Sequence, residues 1–433
     1  MDRRTFLGSV PLTSVAMKFS APDGKATNGP NSEPDGSPWP LVPPGVQYFT
    51  REKLESLIDT SVSVKDIPFE VVVYNFPSWH PSPAMEKYMG KGWTEFEAVR
   101  YAKPWFEGEI QPKQPLWGMY DESVPGSFDE ADPSWAAREI ELASSSGINV
   151  FMIDWYWHMG TMFYHEQLEQ GFLKAPNRHA MKFAVMWANH HWPNNYPAPL
   201  KGKEAILYPQ TYSEADMDRV TDYLLEHYWR EPNHWRIEDQ PVFAIFNIDG
   251  KGGILKHFGT EKLRAIFDRM RNRAAKAGLK GLHIQASHVY RAGETPLKEA
   301  GFDSATHYHT FAGGPPGKST VYADALAQSI ETWKKTVTNL NLPYFPDCPV
   351  GWDNSPRYGR NAHWVSYRTP DQYELLLGAA KSFVAARRTK PPIIFLSAWN
   401  EWTEDHYLLP DAQFGYGYLE AVKRQFKPFA HGL

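Results

Sequence analysis

The sequence predicts an α/β fold: one (β/α)8 barrel with a long first βα loop. Three observations carry this. From residue 46 onward, eight short strand-like stretches alternate with helical patterns. The chain has 433 residues, within the range of one large barrel with insertions. No glycine-rich phosphate loop follows any strand candidate, which argues against a doubly wound open sheet.

In chain order, the strand candidates are residues 70–75, 149–154, 182–187, 242–247, 281–287, 303–307, 348–352 and 393–399. Most are runs rich in β-branched, aromatic and other apolar residues, too short for a helix. Helical patterns fall at 134–146, 164–174, 214–228, 261–277, 321–340, 371–388 and 417–425. Ser213 with Asp216 makes a capping-box-like start, Gly278 follows the fourth helix, and Thr369-Pro370 supplies an N-cap and a first helical proline. The connection 76–133 is long for a βα loop, so it is expected to serve the site as a lid or binding loop, or to contain secondary structure of its own.

The N-terminus stands apart. Residues 1–21, with Arg3-Arg4 ahead of a weakly apolar stretch, resemble a twin-arginine export signal, and this predicts a periplasmic or extracellular protein. Residues 22–45, rich in Pro, Gly, Ser and Asn, read as a disordered linker. Residues 46–433 are expected to form the (β/α)8 domain. The net charge of −5 with scattered signs gives no basic footprint for nucleic acid. The one cysteine, Cys348, allows no internal disulfide, and no apolar run reaches the ~20 residues of a membrane helix. Aromatic residues make up 15% of the chain, with 17 Trp and 22 Tyr. Their faces pack on the C–H faces of sugar rings while their edges hydrogen-bond, so a polysaccharide or oligosaccharide is the expected partner.

The last strand candidate runs into Trp399-Asn400-Glu401-Trp402-Thr403-Glu404. Along it, Ile394, Leu396 and Ala398 form one apolar set, suited to an outer helix layer. Phe395, Ser397, Trp399 and Glu401 form the other, suited to a barrel interior that ends in a carboxylate. Glu401 and Glu404 are the candidate catalytic pair, because glycosidic cleavage asks one carboxyl to protonate the leaving oxygen and a second to assist from another side. The active site of such a barrel lies at the C-terminal strand ends. Read off those ends, the candidate sugar contacts are Asp154, Trp155, Tyr156, Trp187, Asn189, His190, His288, His307, Trp352, Asp353, Asn354, Arg357, Trp399, Asn400 and Trp402, with Trp79, His80 and His309 nearby. Aromatics mixed with neutral hydrogen-bonding groups suit a sugar and do not form a phosphate cradle. Two carboxyls suffice for this chemistry, which calls for no metal and no cofactor. A metal-dependent hydrolase using His307-x-His309 with His288, Asp154 and His190 is the competing enzyme class; a glycan-binding barrel without activity is the non-enzymatic one.

Several segments together resemble one family. Gly90-Lys91-Gly92-Trp93-Thr94-Glu95-Phe96, Ala102-Lys103-Pro104 and Gln111-Pro112-Lys113 look like the opening signature of the WbsX-like proteins, relatives of glycoside hydrolase family 99. The segments 186–192 (MWANHHW), 351–357 (GWDNSPR) and 397–411 (SAWNEWTEDHYLLPD), with Gly415-Tyr416-Gly417-Tyr418, match later motifs in the same order. The resemblance covers about residues 68 to 425. It implies a retaining α-glycosidase on a (β/α)8 barrel, endo-α-mannosidase-like. Glu401 would act as base on the sugar's own 2-hydroxyl, giving a 1,2-anhydro sugar, and Glu404 as the acid/base at the leaving group. The chain departs from the family pattern at Thr403-Glu404-Asp405, where Ala-Glu-Gly is usual, and at the more acidic Asp154-Trp155-Tyr156-Trp157. Some members are described as glycosyltransferases of O-antigen synthesis.

Overall fold

The structure, a computed structural model, describes residues 50–106, 108–120, 123, 127–194, 206–288, 295–311 and 317–427. The export-signal and linker readings for residues 1–21 and 22–45 lie outside the described residues.

Eight parallel strands form the central curled sheet: β1 (Glu70–Asn75), β2 (Val150–His158), β3 (Lys182–Trp187), β4 (Gln240–Asn247), β5 (His283–His288), β6 (Ser304–Ala305), β7 (Asp347–Pro349) and β8 (Ile393–Ser397). Their spatial order is β6-β5-β4-β3-β2-β1-β8-β7, all neighbours parallel. Among the described residues, the β6 edge meets the segment leading into β7 by one bridge. Ala305 pairs with Tyr344 as a parallel bridge, its N–H donating to the Pro343 carbonyl at 2.9 Å and its carbonyl accepting from the Phe345 N–H at 3.0 Å.

Strand alternation sorts the apolar side chains into two layers. Val72, Tyr74, Val150, Met152, Ala184, Met186, Val242, Ala244, Ile393 and Phe395 form one cluster within the curl of the sheet. Val71, Val73, Phe151, Ile153, Val185, Phe243, Ile245, Ile394 and Leu396 belong to the larger cluster shared with the helices.

The main helices are α1 (Pro133–Ser145), α2 (Glu214–His227), α3 (Thr260–Lys276), α4 (Tyr322–Asn339), α5 (Pro370–Arg387) and α6 (Gly417–Phe426), each close to its predicted span. The Ser213 hydroxyl accepts from the Asp216 N–H at 3.1 Å, and Thr369 accepts from the Gln372 N–H at 3.3 Å, so both predicted caps form. The helix expected over 164–174 is instead a π-helical turn, Gln167–Gly171, followed by a 3-10 turn, Phe172–Lys174. The backbone of residue 130 crosses there, so close that a Cβ on Gly171 would meet the Glu130 carbonyl oxygen at 1.9 Å. Only glycine fits that crossing. The long first connection contains two short helices, Pro83–Met89 and Phe96–Arg100.

Beyond β8, residues Asn400–Glu401 pair antiparallel with His406–Tyr407, and a single 3-10 turn, Trp402–Glu404, joins them. This small hairpin carries both predicted catalytic acids.

Candidate active site

A cavity of about 440 Å³ opens at the C-terminal ends of the strands. Phe76 lines it from the end of β1, Asp154 and Tyr156 from β2, Met186, Ala188 and His190 from β3, and Phe246 and Asn247 from β4. Tyr308 and His309 follow β6, while Trp352, Asn354 and Arg357 follow β7. Glu401 and Glu404 complete the wall from the β8 hairpin.

One guanidinium organises the acids. Arg357 Nη1 lies 2.6 Å from Glu404 Oε1, and Nη2 lies 3.6 Å from Glu401 Oε1. From below, Glu95 holds the same guanidinium, its Oε1 accepting from Arg357 Nε at 2.8 Å and from Nη2 at 2.5 Å. Glu95 is fully buried, and its Oε1 also accepts from the Thr403 hydroxyl at 2.6 Å, so it ties Arg357 to the turn that presents Glu404.

Burial pushes the Glu401 carboxyl well above the usual carboxylate range; the neighbouring Glu404 charge adds to this, and Arg357 and a hydrogen bond from Tyr308 offset only part of it. Glu404 is also raised by burial, with Arg357 opposing. Two acids this close and this dry titrate as a coupled pair. Tyr308 Oη donates to Glu401 Oε2 at 2.7 Å. Burial drives its phenol far above the ordinary range, so it stays a donor.

The cavity therefore collects eight of the predicted residues: Asp154, Tyr156, His190, Trp352, Asn354, Arg357, Glu401 and Glu404. Others do not line it. Trp155 stacks on Trp157 at 5.4 Å and packs against Trp187 in the helix-side core, while the Trp187 indole N–H donates to the Trp157 carbonyl at 3.1 Å. Trp399 turns outward because β8 ends at Ser397 and alternation stops there; its indole N–H donates to Glu139 of α1 at 3.1 Å. Trp402 stacks on Tyr407 at 3.8 Å inside the hairpin.

Asn189 and Asn400 are fully buried braces. Asn189 accepts from the Asn247 N–H at 2.6 Å and donates to the Asn247 carbonyl at 2.9 Å. Asn400 accepts from the Phe76 N–H at 2.8 Å and donates to Glu130 at 2.5 Å. Asp353 faces a separate cavity of about 360 Å³ and accepts from Gln111 at 2.8 Å.

His288 lies against Phe246, and His307 Nδ1 pairs with the Tyr344 hydroxyl at 2.8 Å. The alternative ligand set of His307, His309, His288, Asp154 and His190 does not bring its ligand atoms within 4.8 Å of one another. Among the described residues, the one trio with ligand atoms within 4.8 Å of one another is Glu401, Glu404 and His406. Arg357 already sits on both of its carboxylates. Trp79 and His80 are buried behind the wall; the His80 ring lies 3.8 Å from Glu130 and 3.4 Å from Glu166.

Two functional residues escape a reading by strand ends. Tyr308 sits between the two histidines of the H-x-H, but β6 ends at Ala305, so counting faces from the strand gives the wrong residue. Glu95 lies within the Gly-Trp-Thr-Glu-Phe segment, yet its partner Arg357 is 262 positions away.

The curled parallel sheet with its helices is a fold shared with solved glycoside hydrolases. The chain is similar to a solved glycoside hydrolase-like protein at 13% identity, covering 89% of this chain and 98% of the other, with a TM-score of 0.54. It is also similar to the family 99 endo-α-mannosidase of Bacteroides thetaiotaomicron, at 14% identity over 82% of this chain and 95% of that one, with a TM-score of 0.51. Residues 71–422 match the family described as glycosyltransferase WbsX, and the chain belongs to it. The protein WxcX of Xanthomonas campestris pv. campestris is 25% identical over 376 residues. The match takes in 84% of this chain and 50% of WxcX, so the chain spans about half the length of that relative.

Proposed function

We propose that the chain is a glycoside hydrolase cleaving α-glycosidic linkages in a polysaccharide or complex glycan, with Glu401 and Glu404 as the reacting carboxyls. The observation that carries this reading is the buried Glu401–Glu404 pair on one guanidinium in an aromatic-walled cavity. We read the curled sheet as a (β/α)8 barrel closed through the Ala305–Tyr344 bridge, which would set the pair at the barrel mouth.

In the proposed reaction Glu401 takes the proton of the sugar's 2-hydroxyl as that oxygen attacks the anomeric carbon. Glu404 gives its proton to the departing glycosidic oxygen. Water then opens the 1,2-anhydro sugar, losing its proton to Glu404, while Glu401 returns its proton to the 2-oxygen. The donation from Tyr308 supports Glu401 as the acceptor of that proton. For Glu404 to deliver a proton, its 2.6 Å contact with Arg357 has to lengthen as the sugar seats. Tyr156, Trp352 and Phe76 supply apolar faces for the ring, and His190 and Asn354 supply polar contacts at the rim. His190 is held neutral by burial, which suits a hydrogen-bonding role.

Sugar transfer is the second reading, favoured by the name of the family. The Arg3-Arg4 motif supports export, and an exported chain would not meet nucleotide-activated sugars, so we favour hydrolysis. The test is release of reducing sugar from α-mannan, bacterial O-antigens and algal polysaccharides, with and without EDTA. Chelator-resistant release upholds the two-carboxyl hydrolase. Chelator-sensitive release shifts the chemistry to a metal. Transfer from a nucleotide sugar without release of reducing ends replaces hydrolysis by the second reading.

A further inference from the structure

Asp154 is the acid of this site that the proposed reaction leaves without a task. It lines the cavity from β2 and is 5% exposed. Its Oδ2 lies 3.3 Å from Tyr308 Oη, which in turn lies 2.7 Å from Glu401 Oε2. Its Oδ1 is buried and meets no hydrogen-bond partner among the described residues.

A phenol has one hydrogen and cannot donate to two carboxylates at once. The shorter contact claims it, so Tyr308 donates to Glu401. The longer contact then brings two oxygens together with no hydrogen between them, unless Asp154 supplies one. Charge points the same way. Arg357 is the guanidinium at this wall, and its contacts go to Glu95, Glu404 and Glu401; among the described residues no cation pairs with Asp154. An ionised Asp154 would be a further buried negative charge with nothing to offset it, at a cost far above that of holding a proton.

We propose that Asp154 is carried as the neutral acid and donates its carboxyl hydrogen to Tyr308 Oη, which fixes the single phenolic hydrogen on Glu401. Asp154 is then a positioning residue: it acts through Tyr308 to keep Glu401 the hydrogen-bond acceptor that a base must be. That last step rests on the hydrolase reading, whereas the placement of the proton does not. Burial pushes the Asp154 carboxyl well above the usual range, with the Tyr308 hydrogen bond only partly opposing, in keeping with the geometry. The resulting chain Asp154–Tyr308–Glu401 joins β2, the segment after β6 and the β8 hairpin by two hydrogen bonds. It also explains why an acid is tolerated at a place where a cation is missing.

The test uses infrared difference spectroscopy on the full chain without ligand at pH 7, comparing the parent with Asp154→Asn. The amide is isosteric with the neutral acid and can give the same hydrogen bond, so this variant folds as the parent does. The expected difference is the loss of one protonated-carboxyl C=O band with carboxylate bands unchanged. Loss of a carboxylate band instead overturns the proposal. Tyr308→Phe is expected to shift that C=O band, because the carboxyl loses its acceptor; an unmoved band overturns the contact.

On α-mannan, or on whichever glycan of the panel is cleaved, Asp154→Asn is expected to lose several-fold less kcat than Asp154→Ala, because the amide can still donate to Tyr308. Asp154→Ala loses roughly tenfold or more in kcat with little change in KM, and its acid limb moves to higher pH. Equal loss in both variants, with unfolding transitions like the parent's, overturns the positioning role. The infrared arm needs no substrate, so its failure is distinct from failure of the hydrolase reading.

Discussion

Arg357 touches both acids of the hairpin, Glu404 at 2.6 Å and Glu401 at 3.6 Å, while Glu95 grips it from beneath. The unequal distances put the two carboxyls in unlike settings, which is the condition for dividing acid and base roles between chemically identical groups. Arg357→Ala leaves Glu95, Glu401 and Glu404 buried around a missing cation. We expect kcat to fall about 100-fold or more and the acid limb of the pH–rate profile to move upward, since Arg357 lowers the pKa of both glutamates. Arg357→Lys keeps the charge but loses the fork and should lie between. A pH–rate profile of the three proteins is the check.

Glu401→Gln and Glu404→Gln should each lose about 10²–10⁴-fold in turnover. Binding of the glycan, read by calorimetry, should survive, because both changes keep shape and much of the hydrogen bonding. Undiminished activity in Glu401→Gln would exclude 2-hydroxyl participation. Unaltered turnover in Glu404→Gln would remove the acid/base assignment altogether.

Asn400→Ala should be a stability variant before it is an activity variant. The side chain satisfies the Phe76 N–H, Asn75 and Glu130, all buried. Stranding these groups costs about 2–5 kcal/mol. Chemical denaturation should report this, with the midpoint falling and the slope unchanged.

Stability should also fall at alkaline pH because of His80. Burial works to lower its pKa, but hydrogen bonds to Glu130 and Glu166 outweigh burial and raise it to about 9. A raised folded pKa means that the stabilisation is complete below the unfolded value near 6.5 and is lost as pH climbs through about 9. The loss is on the order of 3 kcal/mol between those limits. Glu130, pushed up to about 6 chiefly by burial, is ionised across that window. Thermal unfolding from pH 6.5 to 9.5 should show the fall, and His80→Gln should flatten it. A parent curve as flat as the variant's would rule the contribution out.

The strand and helix order was legible because periods of two and 3.6 survive in any sequence that buries one face. Predicted and observed bounds coincide for β1 and β3 and differ by a few residues elsewhere. What the sequence could not tell was which face of a strand meets the cavity and, as at Trp399 and Trp402, which way a side chain points after the strand stops. Trp155, Trp187, Trp399 and Trp402 looked like sugar platforms, yet all four pack in the core, because an indole serves burial as well as it serves a pyranose. The histidines at 307 and 309 drew attention from Tyr308 for a related reason: β6 is two residues long, and the facing of its successors is set by tertiary packing. Arg357 and the acid pair were found because charged groups at a strand mouth have few other reasons to be there. Glu95 was missed as a site residue because ion pairing over such a separation leaves no local mark.

The turn Trp402–Asp405 is clamped on both sides. Glu404 is held by Arg357 toward the cavity. Asp405 is held by Arg368 at 2.6 Å and Lys113 at 3.2 Å toward the opposite cavity. The turn that carries the acids is therefore a fixed anvil, and beyond the lengthening of the Arg357–Glu404 contact, adjustment to the shape of an incoming glycan falls to the cavity wall from His190 to Pro193 and Lys251. Under the proposed hydrolase reading, exchange of that wall between members of the family should retune which sugar is accepted while Glu401 and Glu404 stay as they are.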